Sequence, residues 1–293
     1  MANTFPSTLV SEIVHSTGLT SLGTVIGAVN SFAHDVAPDP VSPGSVIKVG
    51  ITTGGSAAVE NPTNYETGDS TKEQRNVTAI EINKSFHVSQ AQLNKGHSLQ
   101  SLIAKNMQIM ANKCRDIVFA PITEANFGNA EDTLDKTAAA FVPADLQTIW
   151  AAGKNFPERH LLLDGAYYAK LLPTDANSFR PGMPGAYGFD SIGMNNRWDG
   201  AQSGTIGFLG GRDALLIGSG EPVMDSALEN ALDSYEEVPL DGGLAIYVAS
   251  WASLATRHRW MSLGLMLGAD AGDTTAGKII GDGVTDPGSV GEP

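Results

Sequence analysis

Apolar and polar residues alternate over 45–53, where SVIKVGITT puts Ile47, Val49 and Ile51 on one face of a predicted strand. A second predicted strand, 76–88, aligns Thr78, Ile80, Ile82, Phe86 and Val88. Between them lies GGSAAVENPTNYETGDSTKEQR, rich in Gly, Ser, Thr, Asn and charge. This reads as a long two-stranded excursion with a polar tip. A two-stranded ribbon is marginally stable alone, so this one is expected to depend on docking against another surface. After Ser98, a plausible cap, the period becomes helical. Leu99, Ile103, Met107, Met110, Cys114 and Ile117 recur at steps of four and three, broadened by Leu102 and Val118. Pro121 stops this helix near residue 120, and at ~1.5 Å per residue it spans roughly 33 Å.

Residues 1–44 read as an arm. Leu9, Val10, Ile13 and Val14 suggest a turn or two of helix, followed by glycines at 18, 23 and 27 and by Pro38, Pro40 and Pro43. An extended arm cannot bury its own side chains, so Phe5, Leu9, Ile13 and Phe32 are expected to need a surface on a neighbour. Beyond the long helix the pattern is mixed. A helix is predicted over 143–152, with Gly153 just past its end. Residues 159–163 read as a strand, and Asp164 is placed to cap the helix GAYYAKLL. Loops with short strands fill 174–212. A strand is read at 215–217, a helix-compatible segment at 222–233, and the last strand pieces at 244–248 and 254–267. The Gly/Asp/Thr-rich stretch 268–293 reads as an extended or disordered tail.

Charge narrows the function. Acidic residues outnumber basic ones by 32 to 18, a formal net charge of -14 in 293 residues, which disfavours a dedicated nucleic-acid reader. With Cys114 as the single cysteine, neither an intrachain disulfide nor a cysteine-based metal cluster can form. The chain start lacks the pattern of a secretory signal, and no run approaches a membrane span, so a soluble protein of a reducing compartment is expected. The sequons at Asn76 and Asn83 are read as chance matches.

Candidate chemistry is sparse. Gly272 to Lys278 fits a GxxxxGK phosphate loop, but Ile279 replaces the hydroxyl that would hold magnesium. Asp270 and Asp273 would also oppose phosphate. The histidines at 15, 34, 87, 97, 160 and 258 show no metal-ligand spacing and are read as surface or packing residues. His34 and Asp35 are neighbours on an extended segment and would point apart. Cys114, on the apolar stripe, is expected to be inert, and Glu236-Glu237 reads as a solvated turn. Arg257, His258 and Arg259 form a basic cluster that could face nucleic acid, pair with a neighbour's carboxylates, or sit on a solvated strand face. No catalytic, cofactor-binding or metal residue is assigned, and the chain is read as a non-enzyme.

The order of segments carries a resemblance. MANTFPSTLVSEIV, FAHDVAPDPVSPGSVIKVGITT, FHVSQAQLNKG before the long helix, PERHLLLDGAYYAKLLP and ASWASLATRHR follow one another as in major capsid proteins of tailed bacteriophages. The chain resembles that family along nearly its whole length. The resemblance implies an α+β, HK97-like capsid fold. Its parts would be an N-terminal arm (1–44), an extended β-hairpin loop and its base (45–96), the spine helix of a peripheral domain (97–129), a mixed α/β axial domain (130–240), a return to the peripheral domain (241–267) and a C-terminal tail (268–293). It further implies self-assembly into the pentamers and hexamers of an icosahedral head enclosing double-stranded DNA. Partners would be other copies of the chain, a separate scaffolding protein, a portal protein at one vertex, a decoration protein, and DNA contacted non-specifically, with no membrane. The location would be the virion, after synthesis in the bacterial cytoplasm. Some relatives crosslink a lysine to an asparagine; Lys72 lies near the excursion tip, but no partner is identifiable. Two other readings stand beside this one: an encapsulin-like nanocompartment shell, and a small enzyme with its site within 130–240.

Overall fold

The computed structural model describes residues 7–36, 42–53, 60, 71–88, 98–128, 134, 136–172, 187–195, 205–220, 222, 230–253, 255 and 258–281. The chain opens with two helices, α1 (Ser7–Ser21) and α2 (Gly23–Phe32), followed by β1 (Ala33–Val36). Strands β2 (Val46–Thr53), β3 (Thr71–Thr78) and β4 (Ile80–Val88) lead to α3 (Leu99–Val118) and the short α4 (Glu124–Phe127). Next come a 3-10 turn (Pro143–Asp145), α5 (Leu146–Ala152), β5 (His160–Asp164) and α6 (Gly165–Tyr168). The chain then runs through β6 (Ser191–Asn195), β7 (Thr205–Gly210), β8 (Leu215–Gly220), β9 (Ser234–Pro239), β10 (Ala245–Ser253), β11 (His258–Ala271) and β12 (Gly277–Gly281).

Local signals account for most of these boundaries. The Ser98 hydroxyl accepts the Ser101 N–H at 3.1 Å, starting α3, and its predicted stripe is the buried one: Leu99, Ile103, Met107, Met110, Cys114 and Val118. The Asp164 carboxylate accepts the Ala166 N–H at 3.1 Å and so turns β5 into α6. Burial pushes the Cys114 thiol from its ordinary 9.0 up to about 12, which keeps it protonated and unreactive as expected.

Three sheets result. The largest has six strands, in the order β1-β8-β11-β10-β9, with β4 also paired to β11. The first half of β11 lies between β4 and β10, and its second half pairs with β8. A four-stranded sheet runs β12-β7-β5-β6, and β2 and β3 form a separate ribbon. One face of the large sheet, with Ile82, Ile246, Val248, Met261, Leu263 and Leu265, lies beneath α1, α2 and α3 in the main core. The four-stranded sheet is covered on both faces. Leu162, Phe208 and Ile279 join the main core, while Leu161, Leu163, Leu209 and Ile280 meet Phe141, Leu146, Ile149 and Phe189 in a second one. A strand buried on both sides reads as a continuous apolar run, which is what HLLLD is.

The arm expectation is corrected at residues 7–36. Val10, Val14, Leu22, Val25, Ile26, Val29 and Phe32 are buried in the chain's own core, without a neighbour. Helix formation satisfies the backbone internally, so the apolar stripe can lie on the sheet, and each such side chain contributes about 1.5–3 kcal/mol. Gly18 serves this docking: a Cβ there would come within 2.9 Å of Ile246 Cδ1. Phe5, Pro38 and Pro40 lie outside the described residues, as does the side chain of Leu9.

The tail expectation is corrected too. β11 continues to Ala271, and β12 completes the four-stranded sheet with Ile279 and Ile280 fully buried. Residues 282–293 lie outside the description. The predicted strand 76–88 proves to be two. Val77 and Ala79 are buried, but so is Ile82, while Ile80 is 42% exposed, so the inward-facing parity switches where the ribbon hands over to the large sheet. The helix-compatible segment 222–233 falls largely outside the described residues.

Candidate assembly surfaces

The ribbon β2–β3 is the two-stranded excursion that the sequence indicated. Eight cross-strand pairs join β2 to β3, from Val46 with Thr78 to Thr53 with Thr71. Its base is closed by the Gly44 N–H donating to the Ala79 carbonyl at 2.8 Å and the Ala79 N–H donating to that of Ser45 at 3.0 Å. As predicted, Ile47, Val49 and Ile51 share one face. With Val77 they lie on Leu216 of β8, and Ala79 meets Met266 of β11. The base therefore docks on the chain's own large sheet, on the face away from the helices. Gly268 permits this, since a Cβ there would stand 2.3 Å from the Thr78 carbonyl oxygen. The ribbon's other face is polar apart from Val46, which is 51% exposed. The tip segments 54–59 and 61–70 lie outside the described residues.

Where the ribbon base stops, the outer face of the large sheet carries an aromatic row. The indoles of Trp251 and Trp260 stack with centroids 6.2 Å apart, the His87 ring lies 5.5 Å from Trp260, and His258 lies 4.8 Å from His87. Beside it, the Ser262 and Ser85 hydroxyls donate to the Asn83 side-chain amide oxygen Oδ1 at 2.8 and 3.1 Å.

The four-stranded sheet offers a different surface. The Arg159 guanidinium sits 4.7 Å over the Trp150 ring, and the Trp150 indole N–H donates to the Gly188 carbonyl at 3.0 Å, next to the exposed Tyr187. Trp, Tyr and Arg are the side chains that dominate protein interfaces. Nearby, Asp145 accepts from the Lys136 ammonium at 2.5 Å and from the Val142 N–H at 2.9 Å. Burial works against its charge, but those two hydrogen bonds and the Lys136 charge prevail and hold the carboxyl below its ordinary value. A lowered carboxyl pKa adds stability above the unfolded-state value of ~3.9 and loses it as pH falls through the folded value. Asp145→Asn is therefore expected to cost about 1 kcal/mol at pH 7 and less at pH 3, checked by urea midpoints at both. A penalty independent of pH would contradict this role.

The other sequence candidates disperse. Arg259 points under α1, with Asp233 at 3.6 Å and the Ser250 hydroxyl at 3.5 Å, whereas His258 projects onto the opposite sheet face; Arg257 is outside the described residues. Glu236 and Glu237 lie on β9, not in a turn, and Glu236 accepts from the Ser11 hydroxyl at 2.6 Å. His15 contacts the Pro239 carbonyl at 3.0 Å, and His160 the Ser191 hydroxyl at 2.7 Å. His34 lies on β1 opposite Leu216, its side chain undescribed, and His97 is outside the described residues. Gly272 to Ala276 is a turn between β11 and β12, held by the Asp273 carboxylate accepting from Thr275 N–H and hydroxyl at 2.9 and 2.6 Å, and Lys278 lies on β12 itself. A phosphate loop opens a helix; here β12 follows. Sequence spacing gave no sign of the His87–His258 pair or of the Arg159–Trp150 stack. Among the described residues no helix is long and apolar enough to cross a membrane.

No protein-family model and no curated protein matches the sequence. Solved structures do match. The chain aligns with the virus-like particle protein of Pyrococcus furiosus over 92% of its own length and 98% of that chain, at 12% identity and TM-score 0.50. It has an HK97-like capsid fold. Other structures similar to this capsid fold are the capsid of cyanophage P-SCSP1u (14% identity, 84% of this chain and 86% of that one, TM-score 0.49) and Mycobacterium phage Cain (16%, 98% and 96%, TM-score 0.48).

Proposed function

We propose that this chain is a structural shell subunit, the major capsid protein of a tailed phage, which assembles into pentamers and hexamers of an icosahedral head around double-stranded DNA. The observation that carries this reading is the match to a particle-forming chain over almost the full length of both. Further support comes from the ribbon, anchored at its base on Leu216 and bounded by no third strand among the described residues. Within this reading, the large sheet and α3 form the peripheral domain, and the four-stranded sheet forms the axial domain. The Trp150–Arg159 surface then faces neighbouring copies about the symmetry axes. Segment 45–96 is the extended loop reaching an adjacent subunit. Residues 7–36 belong to the body, which leaves only 1–6 and 37–44 to act as an arm. A separate scaffolding protein, a portal protein and a decoration protein are the further partners; DNA is touched non-specifically, and the chain catalyses no reaction. Its place is the virion, after synthesis in the host cytoplasm.

The test is expression of the full chain, alone and with a candidate scaffold, followed by negative-stain microscopy. Closed shells or capsomer rings are expected, and a uniform monomer under both conditions would refute the proposal. The likeness to an archaeal virus-like particle supports a second reading, a nanocompartment enclosing protein. Particles that carry a protein cargo and no nuclease-protected DNA, in cells supplying both, would favour it.

A further inference from the structure

His87 and His258 lie far apart in the sequence, on β4 and β11, yet both project from the uncovered end of the large sheet's outer face. His87 is exposed and His258 half-buried, so solvent reaches the pair. Their ring centroids are 4.8 Å apart with planes at 60°. Two imidazoles bound through one nitrogen each, at ~2.0–2.1 Å and near-tetrahedral angles, place their centroids roughly 5 Å apart. The observed centroid spacing falls in that range, and from this edge-to-face arrangement rotation of the side chains is what has to turn one nitrogen of each ring toward a shared ion. Antiparallel pairing from Val88 with Arg259 to Ile80 with Leu267 fixes the backbones and lowers the entropy lost when both rings are held by one ion.

We propose that His87 and His258 form a bidentate site for a first-row transition-metal dication (Cu²⁺, Ni²⁺ or Zn²⁺). Imidazole nitrogen is the ligand type these ions prefer, with Cu²⁺ binding tightest. Among the described residues no third His, Cys, Asp or Glu completes a cluster, and the proposal rests on the two imidazoles alone. The protein's net charge of -14 attracts a cation over distance, and Arg259, the nearest described cation in sequence, is directed to the opposite face, against Asp233. The bound ion clips β4, the strand continuing from the ribbon, to the central strand of the large sheet. It does so next to Trp260, 5.5 Å from the His87 ring.

That indole makes the site readable. Titrating Ni²⁺ or Cu²⁺ into the tag-free full chain should quench tryptophan fluorescence saturably at one equivalent, Trp251 and Trp260 being two of four tryptophans. Excess Zn²⁺ should restore the signal. His87→Gln and His258→Gln should each weaken binding about tenfold or more, and His15→Gln should not. A measurement without variants is protection from diethylpyrocarbonate: saturating Zn²⁺ should slow acylation of both His87 and His258, read by peptide mass. Absence of saturable quenching, equal affinity in His87→Gln and His258→Gln, or acylation of both residues at the metal-free rate would each overturn the site.

Discussion

A Phe208→Ala chain is expected to lose about 3–5 kcal/mol of stability, a large part of what holds a domain together. Phe208 is fully buried and stands where the two cores meet. Its ring centroid lies 5.3 Å from that of Phe32 on α2 and 4.9 Å from that of Phe127 on α4. Gly277 lies so close that a Cβ there would be 2.6 Å from Phe208 Cζ, so the ring is enclosed from the β12 side as well. Removing it leaves a cavity whose walls are strand backbone on one side and helix on the other, and neither can collapse far. The measurement is a urea unfolding curve: the midpoint should fall sharply with the slope unchanged. Phe86→Ala, at a partly buried position on the same core, should cost less than half as much. A Phe208→Ala loss below about 1 kcal/mol would show that the four-stranded sheet is not tied to the N-terminal helices through this ring.

The second large effect concerns assembly and not folding. Replacing residues 54–70 by Asn-Gly should abolish particle formation while shifting the monomer's unfolding free energy by no more than about 0.5 kcal/mol. Thr53 and Thr71 are directly paired, so a two-residue turn can close the ribbon there and preserve its eight pairs. The face on Leu216 is untouched, so the body retains its contacts. What is removed, on the function proposed above, is a contact with an adjacent copy, and in a closed shell that loss recurs at every subunit. Microscopy and sedimentation of the shortened chain, with scaffold present, decide the matter; wild-type particle yield would end the role proposed for this loop. The two variants separate the readings, since one should weaken the subunit's own fold and the other should leave that fold intact and the subunit solitary.

Much of this architecture was legible along the chain because its signals are local. The stripe from Leu99 to Val118, the Ser98 and Asp164 caps, the alternation at Ile47, Val49 and Ile51, and the run HLLLD each depend on residues a few positions apart. Glycines were the weak signal. Gly18 looked like a break in an arm but is where α1 comes against Ile246, and a glycine that admits a close approach has the same letter as one that ends a helix. The Gly/Asp/Thr-rich stretch after residue 268 misled for a related reason: its two buried isoleucines are too few to mark a strand until β7 lies alongside.

Taken alone, the sequence determined the long helix and its buried stripe, the ribbon strand with Ile47, Val49 and Ile51, the strand HLLLD and the cap that follows it, the negative net charge, the inertness of Cys114 and the resemblance in segment order that pointed to a capsid fold. Only the tertiary structure decided that the first two helices lie on their own sheet, that the chain's last described strand completes a second sheet, and that His87 meets His258. Periodicity reports which side of an element is apolar, whereas the identity of the surface that covers it is set by backbone pairings between segments far apart in the chain.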